Sequence, residues 1–185
     1  MRTLVLSDVH GNYKALIEAF ERCNLDYEND KLIFLGDVYD GYPDPDKCVE
    51  EFKKIKNLIL IKGNHDVWTL KWFNNEWIPG HDYIWLTQGG FATQYAYQEE
   101  KGDYSYLKDK IEDHRKFLED RMVLYHIDDK NCLYIHAGID WNFPIDEQPD
   151  PEDYYWDRTT WDHYARQHDI DDTKFPYEMV FIGHT

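Results

Sequence analysis

The chain has 185 residues, of which 42% are hydrophobic and 17% aromatic, and this is enough for one domain with a buried core. Its formal net charge is −17 at pH 7, and a field of that sign repels nucleic-acid backbones and anionic lipid surfaces. We therefore exclude a disordered tail and expect no nonspecific nucleic-acid binding. The three cysteines are scattered and no apolar run approaches membrane-spanning length, so we expect a cytoplasmic protein without a disulfide framework.

The first third of the sequence alternates between apolar runs and polar loops. Apolar runs at residues 2–7, 31–35 and 58–61 predict three strands, and amphipathic stretches at 15–20 and 46–55 predict the helices between them. This βαβαβ order favours an α/β fold with parallel pairing. Ligands of such folds bind at the carboxyl ends of the strands, and each predicted strand here ends in a loop rich in Asp, His or Asn.

The remaining two thirds predict a helical segment followed by further strands. Residues 68–121 are polar and aromatic and predict a mainly helical insert near the active site. Runs at 122–126 and 131–135 predict a hairpin with an acidic turn, and 178–182 predicts the last strand. We interpret residues 1–185 as a single domain.

Polar side chains at five strand ends form a candidate metal-binding set without a thiolate. The set comprises Asp8, His10, Asp37, Asn64, His136 and His184. Mixed nitrogen and oxygen donors suit Mn, Fe, Zn or a similar divalent ion better than a closed structural zinc site. The spacing of Asp8 and His10 places both side chains on one side of an extended segment, so one ion can take both. Two ions that share a carboxylate can clamp the attacking and leaving oxygens of a phosphoryl transfer.

The motifs LSDVHGN, GDVYDG, KGNHD, HAG and GHT occur in this order. With this series the chain resembles the calcineurin-like metallophosphoesterases over its whole length. The segments WLTQGGFATQYAY and HAGIDWNFPIDEQPDPEDYYWDR make it similar to the bacterial and bacteriophage Ser/Thr-phosphatase-like members. The resemblance implies a four-layer α/β/β/α sandwich of two mixed sheets, whereas the strand pattern alone indicates only an α/β domain with mixed pairing. Relatives continue past GHT, so we expect a fragment or a truncated protein that lacks the family's C-terminal strands after residue 185.

The resemblance also implies roles for individual residues. One metal ion would be bound by Asp8, His10 and Asp37, and the other by Asp37, Asn64, His136 and His184. The two divalent ions would be Mn first, with Fe, Zn or Ni as alternatives. His65 matches the general acid that protonates the leaving oxygen, and Asp40 matches the carboxylate that orients it.

Two positively charged side chains, Arg158 and Lys62, are expected to contact phosphate, and in this respect the sequence departs from the family pattern. Arg158 matches an arginine that contacts phosphate oxygens, although pairing with neighbouring acids such as Asp153 is an alternative. Relatives commonly have arginine at the positions of Gly41 and Lys62. Gly41 has no side chain to bind phosphate, so one phosphate clamp is absent. Lys62 keeps a positive charge but cannot form the two parallel hydrogen bonds of a guanidinium, so the other clamp is weakened.

Three functions compete at this point. The first is hydrolysis of phosphate monoesters, either phosphoserine and phosphothreonine or small molecules, by a hydroxide held between two metal ions. The alternative is hydrolysis of a dinucleoside polyphosphate or nucleotide pyrophosphate bond, which the loss of arginine at Gly41 favours and for which residues 68–97 could stack a base. A metal-binding scaffold without turnover ranks lowest, because His65 is intact.

Overall fold

Two β-sheets and the helices around them make up the computed structural model, which describes residues 2–76, 81–99, 106–161 and 176–184, with only the backbone of 81 and 82. The strands are β1 Thr3–Leu6, β2 Lys31–Phe34, β3 Asn57–Ile61, β4 Met122–Val123, β5 Tyr125–Ile127, β6 Cys132–Ile135 and β7 Met179–Ile182. The helices are α1 Tyr13–Cys23, α2 Pro45–Phe52, α3 Asn64–Phe73, α4 His81–Trp85, α5 Phe91–Ala96, α6 Lys108–Arg121 and α7 Asp153–Trp156. A π turn, Leu86–Gly90, joins α4 to α5.

The first sheet has the order β1-β2-β3-β4, and all of its described pairs are parallel. The second sheet has the order β5-β6-β7, with an antiparallel pair followed by a parallel one. The predicted βαβαβ alternation is confirmed, because β1, β2 and β3 are neighbours joined through α1 and α2. Mixed pairing occurs in the second sheet only, among the strands that the structure describes.

Alternation of side chains along β2 and β6 produces the layers. In β2, Phe34 packs on the helices while Ile33 faces the other sheet. In β6, Tyr134 faces the first sheet while Leu133 and Ile135 pack under α7. Successive residues of a strand point to opposite faces, so each strand serves two cores. The layer order is therefore helices, sheet, sheet and helix, and the predicted α/β sandwich is confirmed.

One predicted strand is wrong in an informative way. Residues 122–126 do not form one strand, because β4 pairs with β3 in the first sheet and β5 pairs with β6 in the second. Leu124 lies between them. The chain crosses from one sheet to the other at this point, and only the second part forms the predicted hairpin.

The first strand is more exposed than its apolar sequence predicts. Thr3 and Val5 are exposed, with Val5 at 38%, because β1 is the edge strand of its sheet. The helical insert also begins earlier than residue 68, since α3 begins at Asn64 directly after Gly63. The helix break expected at residues 79–80 lies outside the described residues.

Two general expectations can be compared with the described residues. The cysteines are free, and Cys48 and Cys132 are buried while Cys23 is half-buried. No described helix is both long enough and apolar enough to span a bilayer.

Candidate active site

The ends of five strands meet at one edge of the two sheets. Parallel pairing aligns Leu6 with Phe34 and Phe34 with Leu60 in the first sheet. In the second sheet, Ile135 is aligned with Ile182. Because the strands end in register, the loops that follow them begin side by side. The polar residues of five separate motifs are thereby brought together.

Donor atoms around His136 lie close to one another. Its Nε2 lies 3.1 Å from Asn64 Oδ1 and 3.2 Å from His184 Nδ1. It also lies 3.4 Å from Asp37 Oδ2. On the other side, the same carboxylate oxygen lies 3.6 Å from His10 Nε2. Asp37 therefore stands between two imidazoles that come from different sheets.

Asp8 completes the group at the side of the last strand. Its Oδ1 accepts a hydrogen bond from the backbone N–H of His184 at 3.3 Å. Ser7 also bonds to its carboxylate, and the chain at Gly183 runs so close that a Cβ there would clash with both side chains. All six residues of the predicted set, which we call the ligand cluster, are thus neighbours in the structure.

The orientation of two histidines fits a metal site. Nδ1 of His136 bonds to the carbonyl of Leu35 at 2.6 Å, and Nδ1 of His10 bonds to the carbonyl of Tyr39 at 2.9 Å. A carbonyl only accepts, so each Nδ1 carries a proton. In the neutral form of each ring, Nε2 then has a lone pair that can bind a cation beside Asp37.

The donor separations agree with this conclusion. An ion with bonds of about 2.0–2.2 Å to nitrogen or oxygen has adjacent ligand atoms about 3 Å apart. Among the described residues, two of the three groups of potential ligands that fall within 4.8 Å lie here, one with His10, Asp37 and His65, the other with Asp37, His136 and His184. Burial, His136 and Arg158 lower the pKa of His184 to about 4, so its imidazole is neutral, as a ligand must be.

Backbone conformation is unusual at these residues. Eight described residues other than glycine have a positive φ angle, and all are Asn, Asp or His, the types that adopt it most readily; three are asparagines outside the predicted set. The other five are Asp8, His10, Asp37, Asp40 and His184. Each such residue costs roughly 1–3 kcal/mol and persists only where its surroundings hold it. Strain of this kind concentrates at functional sites, so its coincidence with the predicted residues supports a site here.

The predicted proton donor and its partner lie beside the ligand cluster. His65 Nδ1 is 2.8 Å from Asp40 Oδ2, and His65 stands next to Asn64 in the first turn of α3. Burial lowers the pKa of His65, but Asp40 and Asp37 outweigh burial and raise it. A raised pKa keeps more of the imidazole protonated near neutral pH, as a general acid requires. We call His65 and Asp40 the acid pair.

Three supporting residues were not identified from the sequence. Asp66 is fully buried and accepts hydrogen bonds from the backbone N–H groups of Gly63, Asp37 and Val38 at 2.8–2.9 Å. Burial and the charge of Asp37 raise its pKa to about 6. Asp66 therefore ties two of the strand-end loops together. Its position directly after Asn-His in KGNHD was the available signal.

The other two supporting residues, Trp85 and Thr93, come from the insert and bind Asp40. Both lie inside the quoted segment WLTQGGFATQYAY, yet nothing in their spacing marks them as partners of Asp40. Tryptophan in such a segment is more often a core residue, and the structure does bury Trp85 fully.

The two residues predicted to contact phosphate, Arg158 and Lys62, differ in their relation to the ligand cluster. Arg158 Nε donates to His184 Nε2 at 3.2 Å, so its guanidinium lies at the ligand cluster. The neighbouring Asp157 accepts instead from Thr159 and Thr160. For Lys62 the structure shows a backbone hydrogen bond to Val123, and its phosphate contact stays a prediction.

The layer order and the donors at the shared edge place the chain in the metallophosphoesterase class of α/β proteins. The model of the calcineurin-like phosphoesterase family matches residues 1–185. The chain belongs to the calcineurin-like phosphoesterase family, whose members use a binuclear divalent metal centre.

Three similar proteins illustrate the range of this family. A symmetrical bis(5'-nucleosyl)-tetraphosphatase of Coxiella burnetii is 31% identical over 142 residues, 76% of this chain and 43% of that protein. Serine/threonine-protein phosphatase 1 of Salmonella typhimurium is 27% identical over 86 residues, 46% of this chain and 38% of that protein. A metallophosphoesterase structure from Sphaerobacter thermophilus superposes with a TM-score of 0.58 at 20% identity, covering 98% of this chain and 59% of that one.

The chain thus spans less than half the length of the curated relatives it matches. The structural likeness shows the fold alone, since the identity is only 20%.

Proposed function

We propose that the chain forms the active site of a binuclear metal-dependent hydrolase that cleaves the phosphoanhydride chain of a dinucleoside polyphosphate. The observation that carries the proposal is the position of the acid pair directly beside the ligand cluster. The backbone N–H of His65 donates to Asp37 Oδ1 at 3.0 Å, so the residue proposed as the acid is tied through its main chain to the proposed bridging carboxylate. Such an arrangement can bind a phosphate and protonate its leaving group in one place.

The proposed ligands divide between two positions. One ion would be held by Asp8, His10 and Asp37, and the second by Asp37, Asn64, His136 and His184. Bound divalent ions supply Lewis-acid stabilisation of phosphate oxygens and a nucleophile at neutral pH. The mixed donor set of imidazole, carboxylate and amide groups is compatible with Mn²⁺, Fe, Zn²⁺ or Ni²⁺, and Mn²⁺ is the first candidate.

The remaining residues have roles that do not depend on which phosphate is bound. Nδ1 of His65 is occupied by Asp40, which leaves Nε2 to deliver a proton to the departing oxygen. Arg158 lies beside His184 and would bind phosphate oxygens through its planar guanidinium. Lys62 would add a positive charge.

A nucleotide substrate is favoured by an aromatic wall at the site. Trp68 contacts the ring of His65 at 5.0 Å between centroids, and Trp68 and Trp156 are also 5.0 Å apart. Trp156 in turn lies 6.1 Å from the ring of His184 and is half-buried. Stacking of a base on an aromatic ring contributes about 1–3 kcal/mol. The Coxiella burnetii relative, by its name a bis(5'-nucleosyl)-tetraphosphatase, supports the same substrate class.

Gly41 supports the same preference. Where relatives commonly have an arginine, this chain has a glycine with a φ of 103°, which a side chain rarely adopts. One clamp on a terminal phosphate dianion is thereby absent. An internal anhydride carries less charge per phosphate and depends less on that clamp.

Hydrolysis of phosphoproteins or small phosphomonoesters is the second candidate. It is favoured by the similarity to serine/threonine-protein phosphatase 1 of Salmonella typhimurium. The acid pair also suits it, because an alkoxide leaving group needs a proton more than a phosphate leaving group does.

The two candidates are separated by comparing kcat/KM for a bis(5'-nucleosyl) tetraphosphate with kcat/KM for a phosphoserine peptide, using the full chain loaded with Mn²⁺. We expect the higher value for the dinucleotide. His65→Ala should lower kcat on the phosphopeptide about 10²-fold, since an acid typically contributes that much. A higher kcat/KM for the phosphopeptide would favour the second candidate, and metal binding without turnover of either would indicate a scaffold.

A further inference from the structure

The carboxylate of Asp40 is enclosed by hydrogen-bond donors from the insert. Its Oδ1 accepts from Thr93 Oγ1 at 2.6 Å, and its Oδ2 accepts from Trp85 Nε1 at 2.8 Å. The backbone N–H of Asp40 donates to the same Thr93 hydroxyl at 3.1 Å. All three residues are 0% exposed. Loss of Thr93 would remove the side-chain donor of Oδ1, and loss of Trp85 would leave Oδ2 with only the donor from His65, in a site that solvent does not reach.

The π turn between α4 and α5 allows both donors to reach one carboxylate. Trp85 and Thr93 are eight positions apart in the sequence, and a continuous α-helix would place them about 12 Å apart along its axis. The helix instead breaks at Gln88 and Gly89, where Gly89 has a φ of 108°. Its carbonyl accepts a hydrogen bond from the backbone N–H of Gly41 at 3.2 Å, so the break sits directly against the loop that carries Asp40.

Asp40 Oδ2 serves two donors at once, the indole of Trp85 and the imidazole of His65, each at 2.8 Å. We propose that Trp85 and Thr93 are positioning residues, which fix the rotamer of Asp40 so that His65 keeps its Nδ1 proton on Oδ2 and turns Nε2 to the leaving group. The proposal rests on the proposed role of His65 as the acid. Without these donors the carboxylate would be free to change rotamer, and the imidazole would lose its orientation.

The expected defect is selective, because the ligand cluster is held by other contacts. His136 and His10 are oriented by backbone carbonyls, and Asp66 holds the loop of Asp37. A loss of Trp85 or Thr93 should therefore affect proton delivery and leave metal binding in place. A merely structural role would instead lower every activity together.

The variants are Trp85→Phe, Thr93→Val and the double variant, with Thr93→Ser as the conservative replacement that keeps the hydroxyl. Thr69→Val is the matched control, since Thr69 is fully buried and its hydroxyl has no hydrogen-bond partner among the described residues. Trp72→Phe is the control for the indole, because the ring of Trp72 lies 5.6 Å from that of Trp85 in the same aromatic cluster.

The kinetic test compares two aryl phosphates with the full chain loaded with Mn²⁺. Phenyl phosphate has a poor leaving group that needs protonation, and 4-nitrophenyl phosphate has a good one that needs little. For the double variant we expect kcat on phenyl phosphate to fall about 10-fold to 100-fold, with kcat on 4-nitrophenyl phosphate changed by about 2-fold or less. Thr93→Ser, which keeps the hydroxyl, should retain most of the kcat on phenyl phosphate that Thr93→Val loses. Equal losses on both substrates, or a loss in Thr69→Val of the same size, would overturn the proposal.

A spectroscopic test does not depend on turnover. The ¹⁵N NMR spectrum of labelled His65 should show protonated Nδ1 in the wild type and in both controls. It should show a mixture of tautomers in the double variant, and Trp85→Phe and Thr93→Val are measured singly in case the double variant does not fold. An unchanged His65 spectrum would contradict positioning. If the wild type hydrolyses neither the aryl phosphates nor the bis(5'-nucleosyl) tetraphosphate, the proposed function fails, and the spectrum then decides the positioning role by itself.

Discussion

The strand-end loops and the insert contribute to the site in different ways. The loops carry the ligand cluster, and their residues are placed by short segments that follow strands directly. The insert carries donors to Asp40, and it reaches this carboxylate from 45 and 53 residues away along the chain. The comparison teaches that the proposed reactive groups follow strand ends directly, while Asp40, the group proposed to orient the acid, is also held by contacts from a separate segment. Substitutions in the loops should therefore reduce metal binding, whereas substitutions in the insert should reduce proton delivery and leave metal binding in place.

The largest effect is expected within the loops, at Asp37. Asp37→Asn keeps the shape of the side chain but removes its charge from between His10 and His136. Partners that only orient a ligand typically contribute 10-fold to 100-fold to metal affinity, so we expect loss of Asp37 to cost at least about 100-fold. Elemental analysis after dialysis should show fewer than two ions per chain, with hydrolysis near background.

Asp129→Asn is the control for this change, because Asp129 is an exposed residue in the turn before β6. It should retain full metal content. Two bound ions in Asp37→Asn would contradict the proposed ligand cluster.

A smaller effect is expected where the insert meets the loop, at Gly89. An alanine there would take a φ of 108°, and its Cβ would lie 2.9 Å from Gly41 Cα. A strained residue costs about 1–3 kcal/mol, so we expect Gly89→Ala to lower the free energy of unfolding in urea by that amount. It should also reduce hydrolysis of phenyl phosphate more than metal content.

Ala15→Gly provides a control for a loss of stability away from the site, since a glycine at this exposed helical position costs about 0.5–1 kcal/mol. It should leave kinetics unchanged. Normal activity in Gly89→Ala would show that the insert supports the acid pair less tightly than its contacts indicate.

The smallest effect is expected behind the insert, at His114. This buried imidazole lies 2.6 Å from Tyr97 Oη and 2.7 Å from Glu50 Oε1. Burial lowers its pKa, although the Glu50 carboxylate opposes this. The charged groups around it are Glu50, Lys53, Lys110 and Asp113. Since the free imidazole has a pKa near 6.5, the unfolded chain takes up the proton first as the pH falls.

Stability attributable to His114 is therefore present above about pH 6.5 and is lost as the pH falls toward its folded pKa, by at most about 1.4 kcal/mol per pH unit. His114→Gln should flatten the decline in unfolding free energy between pH 7 and pH 5.5. Tyr97→Phe, which removes the hydrogen bond but no group that titrates between pH 7 and pH 5.5, should lower stability and keep the decline. An identical decline in the wild type and His114→Gln would contradict the assignment.

Much of the fold and of the candidate site could be predicted because the relevant signals are local. Three strands that end in polar loops predict an α/β fold. Motifs such as GDVYDG and KGNHD identify candidate site residues because those residues come directly after a predicted strand. Regular strand geometry then brings these residues to a common edge without further information. The resemblance added the roles of Asp40 and His65, which lie 2.8 Å apart in the structure.

The sequence pattern by itself determined an α/β domain and the residues that meet at the strand ends, and the resemblance of its motifs added the family and the layered architecture. The tertiary structure alone decided where the chain crosses between sheets at Leu124, how exposed β1 is, and which donors enclose Asp40. The physical reason is the range of the interactions. A periodic pattern fixes what a residue does within its own strand or helix, but partners such as Trp85 and Thr93 are selected by packing between distant segments, which no short pattern encodes.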